Sequence, residues 1–230
     1  MIGNKKFQPF IKTILIEIII LTIISVTVPV IVQNWLYPKL GLPHDSPIPL
    51  RILLVGFFVL YFLKKQGQTL YDLGYSKPKN WFIFTGFLIL IIFLQIFLPG
   101  TIINSLGFNM GDYSFFEHVQ GNLPALIFWI VMSWVIGAFF EELIFRVYLI
   151  DRFKRLVNHD KVGLIIAIII QAIFFGLFHW YQGTGGVLST AISGLISGTI
   201  YGVYKNIWPC VISHGLLNTV FFIAFYFNGV

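Results

Sequence analysis

Six polar side chains interrupt the long apolar stretches that fill the second half of the chain. An ionisable residue inside such a stretch is costly to bury and is therefore a candidate for function. Together the six supply carboxylates, imidazoles, a guanidinium and an amide, which are groups that activate water and stabilise an oxyanion. They are Glu141, Glu142, Arg146, His179, His214 and Asn218.

The spacing of these residues predicts which of them pair. Glu142 and Arg146 are four residues apart, so on a helix they share one face and neutralise each other. Glu141 is rotated by about 100° from its neighbour and lacks that partner, which makes it the candidate general base. The alternative is a structural ion pair beside a protonated Glu141. His214 and Asn218 are also four apart and share a face.

These residues must be positioned by membrane-spanning helices. Of the 230 residues, 57% are hydrophobic and 10% are charged, whereas a soluble domain averages about 45–50% and about 25%. The apolar runs are continuous rather than alternating, which excludes a β-barrel. The net charge of +6 comes from Lys and Arg in short loops, as expected of topology signals rather than of nucleic-acid binding. Cys210 is the only cysteine, so an intrachain disulfide is excluded.

The fold class that follows is all-α, a polytopic bundle of about seven spans in one transmembrane domain over residues 1–230. A span needs about 20 apolar residues, and Ile48–Leu63 is the shortest candidate. The fourth to seventh spans carry the polar residues, within about residues 123–220. The predicted spans are Phe10–Val32, Ile48–Leu63, Trp81–Pro99, Leu123–Ile150, Val162–Tyr181, Val187–Tyr204 and Ile207–Phe227.

The distribution of Lys and Arg predicts a cytoplasmic N-terminus. With seven crossings, the loops at Lys64–Asn80 and Asp151–Lys161 face the cytoplasm, while Gly100–Asn122, which has no Lys or Arg, faces out. Removing the second span would place four lysines outside, so the charges favour keeping it. Within the outer loop, Tyr113–Gln120 is either a short surface helix or a plain loop.

A glycine pattern predicts close packing of the sixth span. Gly194, Gly198 and Gly202 line one face of this span, a pattern that lets helix backbones approach closely.

The depths of two candidate residues in the membrane differ. At 1.5 Å per residue, Glu141 lies roughly 14 Å from the cytoplasmic end of its span, and His179 lies about 25 Å from the cytoplasmic end of its own span. Tilt, or a fifth helix that starts below the membrane surface, is needed to bring the two together.

The three polar segments resemble the CPBP intramembrane proteases, which group CAAX prenyl endopeptidases with bacteriocin-processing and immunity proteins. The motifs of that family are E-E-x-x-x-R, F-x-x-x-H and H-x-x-x-N (or D). In this chain they fall at residues 141–146, 175–179 and 214–218, in the same order and spacing. The likeness spans about residues 123–220, and the first 120 residues are similar only as apolar spans.

The resemblance implies hydrolysis of a peptide bond within or next to the membrane. It gives Glu141 and His179 the activation of water, and it gives His214 and Asn218 the stabilisation of the oxyanion. Glu142 and Arg146 would support the site. Two His and two Glu are also able to ligate zinc, although no H-E-x-x-H motif is present. We expect a glutamate-type enzyme with no cofactor, and a zinc protease is the alternative.

Functions from other classes remain open at this stage. Membrane-embedded Glu and His also form proton relays, as in a proton-coupled carrier, but no inverted repeat is visible. A non-catalytic immunity or scaffold protein is the other alternative. For an enzyme, the candidate substrates are a prenylated CAAX end, a bacterial leader peptide such as that of a bacteriocin, and a pheromone propeptide. We expect a multi-pass protein of a bacterial plasma membrane, with lipid and a hydrophobic peptide as partners and no nucleic acid.

Overall fold

Long apolar segments fold as helices in lipid because every backbone N–H and C=O must find a partner within the chain. The structure is a computed structural model that describes residues 4–36, 39, 48–157 and 160–229, and within these ranges it contains helices and no strand. The all-α prediction is therefore confirmed. The chain divides into two compact units, Met1–Gln68 and Thr69–Val230. The prediction of a single transmembrane domain stays a prediction.

The described residues of the N-terminal unit include two long helices. Helix α1 (Asn4–Ile31) ends in a π-helical turn at Val32–Leu36, and α2 covers Ile48–Lys65. Glu17 of α1 is 3% exposed and accepts a hydrogen bond of 2.6 Å from Nε2 of Gln66, just beyond α2. This carboxylate therefore links the two helices of its own unit.

Over residues 69–157 and 160–229, the C-terminal unit contains five long helices and two short 3₁₀ segments. The 3₁₀ segments are Ser114–Val119 and Trp180–Gln182. The long helices are α3 (Trp81–Ser105), α4 (Leu123–Leu156), α5 (Asp160–Phe178), α6 (Gly183–Tyr204) and α7 (Trp208–Asn228).

Of the seven long helices in the described part of the chain, six are long and apolar enough to cross a membrane. Helix α2 is the exception, because its 18 residues include Arg51, Lys64 and Lys65. The count agrees with the predicted bundle of about seven spans, and the predicted span at Ile48–Leu63 remains the weakest.

The helix ends differ from the sequence-based boundaries in ways that matter for the site. Helix α3 continues through Pro99, and α4 runs six residues beyond the predicted end at Ile150. Helix α5 ends at Phe178, so His179 lies just after the helix rather than inside it. Residues 158 and 159, in the loop predicted at Asp151–Lys161, lie outside the described residues.

Helices α5 and α6 pack along the predicted glycine face. A Cβ added to Gly194 would lie 3.0 Å from Cα of Ala172, and one on Gly198 would lie 2.5 Å from Nε2 of Gln171. The same Nε2 donates a hydrogen bond of 2.7 Å to the carbonyl of Gly194. The interpretation of this ladder as a packing surface is confirmed.

The segment that follows the N-terminal unit folds against the turn between α6 and α7, on the predicted cytoplasmic side. The hydroxyl of Tyr201 donates a hydrogen bond to the carbonyl oxygen of Leu73 at 3.1 Å. The backbone N–H of Ile207 donates one to the carbonyl oxygen of Gly74 at 3.2 Å. Tyr75 inserts further, and its hydroxyl donates to the carbonyl of Phe139 in α4 at 3.3 Å. Burial raises the pKa of Tyr75, so this hydroxyl stays a neutral donor.

On the predicted outer side, an aromatic cluster covers the ends of α4 and α7. Of the two alternatives for Tyr113–Gln120, a short helix is the one present, as the 3₁₀ segment Ser114–Val119. Its ring at Phe116 lies 5.0 Å from Trp129 and 5.1 Å from Phe222. The buried members of the cluster are Phe116, Val119, Leu126, Phe222 and Phe225.

Candidate active site

The middle of α4 holds the acidic residues in an unusual backbone. Residues Ser133–Leu149 form a π-helical stretch inside the longer helix, and π-helical turns occur frequently at functional sites. Within it Glu141 is 6% exposed, Glu142 0% and Arg146 1%. Buried charges are costly unless they are paired, so the contacts of these three residues define the site.

Glu142 lies between Arg146 and His214. Its Oε2 is 3.1 Å from Nε of Arg146, which confirms the predicted i, i+4 ion pair. The contact has ion-pair distance without hydrogen-bond geometry. Its Oε1 is 2.9 Å from Nδ1 of His214 on α7. This second contact joins α4 to α7, and no spacing within either helix predicts it.

The contact with Glu142 decides which nitrogen of His214 carries hydrogen. A carboxylate only accepts, so Nδ1–H of His214 donates to it. Nε2 lies 3.9 Å from Oε2 of Glu141, beyond direct hydrogen-bond distance. A neutral ring with its hydrogen on Nδ1 has a lone pair on Nε2. His214 therefore donates from Nε2 only as an imidazolium.

Asn218 lies one turn beyond His214 and faces the same part of α4. A Cβ added to Gly137 would lie 3.1 Å from Nδ2 of Asn218 and 3.4 Å from Nε2 of His214. Across the same interface, a Cβ on Gly215 would lie 2.6 Å from the ring of Trp134. Two glycines thus let α4 and α7 approach closely at the site.

The imidazole of His179, at the end of α5, is oriented by a hydrogen bond to a backbone carbonyl of the same helix. Its Nδ1 lies 2.8 Å from the carbonyl oxygen of Phe175. A carbonyl oxygen only accepts, so Nδ1 carries the hydrogen, and the neutral ring has its lone pair on Nε2. A ring in this state accepts a proton or a hydrogen bond at Nε2, as a partner in water activation requires.

The ring of Phe175 contacts all three basic side chains of the site. Its centroid lies 4.8 Å from that of His179 and 6.4 Å from that of His214. The guanidinium carbon of Arg146 lies 4.0 Å from the same centroid, within the range of a cation–π contact. Phe175 therefore brings together groups from α4, α5 and α7.

The pairing of α4 with α5 puts Glu141 and His179 on the same side of a shared aromatic contact. The ring of Phe145 packs 5.0 Å from Phe175 and 5.4 Å from Phe178. Glu141 precedes Phe145 by four residues, and His179 follows Phe178 directly, so in antiparallel helices both lie on the same side of that contact. Because α4 extends to Leu156, Glu141 lies further from the cytoplasmic end of its helix than the count from Ile150 gave, which reduces the predicted depth difference from His179.

A metal site would need several of these side chains to converge. Among the residues that the structure describes, no three His, Cys, Asp or Glu side chains are placed to hold one ion. The Nδ1 atoms of His179 and His214 face a backbone carbonyl and a carboxylate, as the second ring nitrogen of a metal-bound histidine also does. The zinc alternative stays a prediction, and no chemical step is derived through a metal.

The comparisons with known proteins agree with this arrangement. Residues 123–220 match the family described as type II CAAX prenyl endopeptidase Rce1-like. This segment is an Rce1-like domain. It runs from the start of α4 into α7 and contains all six of the polar residues singled out in the sequence. Comparisons with curated proteins and with solved structures gave no match.

The match agrees with the resemblance of the three motifs to the CPBP intramembrane proteases. The chain is a multi-span membrane protein in which the segment from α4 into α7 is similar to CAAX-type proteases. The match covers less than half of the chain, and α1, α2 and α3 lie outside it.

Sequence reasoning found the polar residues of the Rce1-like domain and missed the glycines that make room for them. Gly137 precedes Glu141 by four residues and Gly215 follows His214 directly, so each shares a helix with a candidate residue. The sequence feature that could have indicated them is a glycine one helical turn from a buried carboxylate. The hydrogen bond from Tyr75 to the backbone of α4 could not be predicted, because Tyr75 lies in a polar loop.

Proposed function

We propose that the chain is a glutamate-type intramembrane endopeptidase that hydrolyses a peptide bond of a membrane-associated or lipid-linked peptide. The observation that carries the proposal is the meeting of Glu141, His214 and Asn218 between α4 and α7. A carboxylate beside two hydrogen-bond donors supplies what water attack needs, a base for the water and support for the oxyanion.

In the proposed reaction, Glu141 takes a proton from water as the water oxygen bonds to the carbonyl carbon. The carbonyl oxygen becomes an oxyanion. When the C–N bond breaks, Glu141 returns the proton to the leaving nitrogen, and the carbonyl carbon ends as a carboxyl group. His179, with its lone pair on Nε2, is the proposed partner that orients the water.

The oxyanion is assigned to His214 and Asn218. Both side chains project from one face of α7, and their nitrogens lie on the same side of Gly137. Donors fixed before the reaction need no reorganisation as charge develops, and removal of one such donor typically lowers kcat by about 10²–10³.

Glu142 and Arg146 are assigned supporting roles. Glu142 fixes the orientation of His214 through Nδ1, and Arg146 compensates the charge of Glu142. Partners of this kind hold reacting groups in the required geometry. Neither residue is given a role in proton transfer to the substrate.

The proposed substrates are hydrophobic peptides or propeptides in a bacterial plasma membrane, such as a bacteriocin leader, a pheromone precursor or a prenylated CAAX end. The helices expose apolar side chains on their outer surface, which suits contact with a hydrophobic peptide that is dissolved in lipid. Membrane lipid is the other proposed partner, and no nucleic acid and no cofactor are invoked.

Comparative peptidomics tests the proposal directly. Membranes that contain wild-type protein are compared with membranes that contain Glu141→Gln, with Glu117→Gln as the control because Glu117 is exposed and lies in the 3₁₀ segment outside the site. We expect products that are present in wild type and Glu117→Gln and absent in Glu141→Gln. Identical peptides in all three would reject the protease and favour a scaffold or immunity protein.

A further inference from the structure

The indole of Trp134, in the π-helical stretch of α4, lies directly against the backbone of α7 at Gly215. A Cβ added to Gly215 would lie only 2.6 or 2.7 Å from three atoms of the ring. Position 215 follows His214 directly. The ring therefore packs in the space that a side chain at position 215 would fill, beside the first of the two candidate donors of α7.

A short chain of hydrogen bonds joins the same ring to the next turn of α7. Nε1 of Trp134 lies 3.0 Å from Oγ1 of Thr219, and the hydroxyl of Thr219 donates to the carbonyl oxygen of Gly215 at 2.7 Å. An indole N–H only donates, so Thr219 accepts from it through a lone pair. Each hydrogen in this chain has an acceptor, and Trp134 contacts α7 at two points one turn apart.

These two contact points adjoin the candidate donors. Gly215 and Thr219 are four residues apart and share one face of α7. The residues that precede them, His214 and Asn218, share the adjacent face. Successive residues of an α-helix are rotated by about 100°, so a contact that fixes the first face also fixes the direction of the second. The second face meets α4 at Gly137, where an added Cβ would lie 3.1 Å from Nδ2 of Asn218 and 3.4 Å from Nε2 of His214.

The amide of Asn218 depends most on the rotation of α7. Glu142 orients the ring of His214 through Nδ1, whereas no side-chain hydrogen bond holds Asn218 within the part of the chain that the structure describes. Its position therefore follows that of the helix. A rotation of about 10° moves side-chain atoms that lie about 5–6 Å from the helix axis by about 1 Å. A misplacement of about 1 Å can lower a rate by about 10²-fold.

We infer that Trp134 is a positioning residue, which fixes the rotation of α7 about its own axis and thereby aims His214 and Asn218 towards α4. The inference rests on the proposed peptidase function and adds a residue to it. Trp134 acts through the two donors and takes no part in proton transfer. Its effect is expected in kcat rather than in KM, because donors to an oxyanion act in the transition state and not on the bound substrate.

Thr219 offers a change that removes the hydrogen bond and keeps the shape of the side chain. Valine has nearly the shape of threonine and lacks the hydroxyl, so Thr219→Val takes the acceptor away from the indole N–H. Thr219→Ser keeps the hydroxyl and loses only a methyl group. Thr85→Val is the matched control, because the exposed Thr85 donates to the carbonyl of Trp81 within α3, outside the site.

The experiment measures kcat per folded molecule, KM and thermal unfolding in detergent on one reporter peptide. We expect kcat of Thr219→Val to fall by about tenfold or more at a KM close to wild type, whereas Thr219→Ser and Thr85→Val keep the wild-type kcat. A lower Tm of Thr219→Val with unchanged kcat would show a packing contact only and overturn the inference. An equal loss of kcat in Thr219→Ser would overturn it too, because the hydrogen bond would not be the cause.

A second pair of variants covers the case in which Thr219→Val folds poorly. A buried donor without an acceptor is costly, but removal of both partners is nearly neutral, so Trp134→Phe/Thr219→Val avoids the orphaned N–H. Trp134→Phe alone should already lower kcat at an unchanged KM, and the addition of Thr219→Val should lower kcat little further. A wild-type kcat in Trp134→Phe, or a further loss of similar size in the double variant, would overturn the inference.

Glu141→Gln separates this inference from the function on which it rests. Wild-type turnover in Glu141→Gln would reject the proposed peptidase mechanism and, with it, the positioning role. An inactive Glu141→Gln beside Thr219→Val and Trp134→Phe variants of wild-type kcat would reject the role of Trp134 alone.

Discussion

Nδ1 of His214 lies 2.9 Å from Oε1 of Glu142, and this contact connects α7 to the ion pair of α4. Glu142 therefore contacts two groups, the guanidinium of Arg146 and the imidazole of His214. The Oε2 atom of the adjacent Glu141 lies 3.9 Å from Nε2 of His214. The two neighbouring carboxylates therefore have different surroundings and should respond differently to the same substitution.

Glu141→Gln should remove turnover and preserve stability. Glutamine is nearly isosteric and does not accept the proton of water, so turnover is expected to fall by about 10²–10⁴. Glu142→Gln should instead lower stability, because breaking a buried ion pair costs about 3–5 kcal/mol. It should also reduce turnover to a smaller extent, since His214 loses the carboxylate that orients it.

The measurement is turnover per folded molecule of each variant on one reporter peptide, together with detergent melting curves. Equal kinetic losses in the two variants, with equal melting temperatures, would show that base and support are not divided between Glu141 and Glu142 as proposed. Full turnover in Glu141→Gln would remove the mechanism.

Hydrolysis should persist after exhaustive dialysis against a strong chelator, since activation of water by a glutamate needs no metal. A zinc metallopeptidase treated in the same buffer is the control and should lose its activity. Activity that disappears on dialysis and returns with stoichiometric zinc would make His179, His214 and a carboxylate the ligands, and would contradict the glutamate-type assignment.

The loop of Lys77 should face the cytoplasm and that of Met110 the outside, because Lys and Arg concentrate in the former. Cys210 is buried and its thiol contacts the carbonyl of Ser197, so the native cysteine can stay in place. An impermeant thiol reagent on intact cells should label Met110→Cys and spare Lys77→Cys. Both should react in permeabilised cells, and the reverse pattern on intact cells would invert the topology.

Gly198→Leu should destabilise the bundle, because its side chain would meet Gln171 of α5. Overpacking of this kind costs about 1–3 kcal/mol or more. Gly86→Leu is the control, since its position on α3 is open. The comparison is of melting temperatures in detergent, with a clear fall expected only for Gly198→Leu. Equal melting of both variants would mean that the α5–α6 contact does not depend on the glycine face.

Much of this fold could be predicted because lipid imposes strict local rules. Continuous apolar runs had to be helices, and a glycine every fourth residue on α6 had to mark close packing. The i, i+4 pair of Glu142 and Arg146 was equally predictable, since both residues lie on one helix. Each of these features depends on a short stretch of sequence.

What could not be predicted depends on contacts between distant segments. Glu142 and His214 are separated by 72 residues, and spacing within one helix says nothing about such a pair. The level of His179 was likewise uncertain, because it depends on where α4 ends and on how α4 pairs with α5. The π-helical stretch at Ser133–Leu149 also shifts the directions of its side chains from those of an ideal α-helix.

The unequal lengths of α4 and α5 have a consequence for the lipid environment. At the α-helical rise, the 34 residues of α4 span about 50 Å and the 19 of α5 about 28 Å. The hydrocarbon core is about 30 Å thick. Helix α4 is therefore longer than the core, whereas the length of α5 only about equals its thickness. A thicker bilayer therefore strains α5 first, and His179 lies at its end. Acyl-chain length should then tune turnover, with lipids of long chains displacing His179 from the level of Glu141.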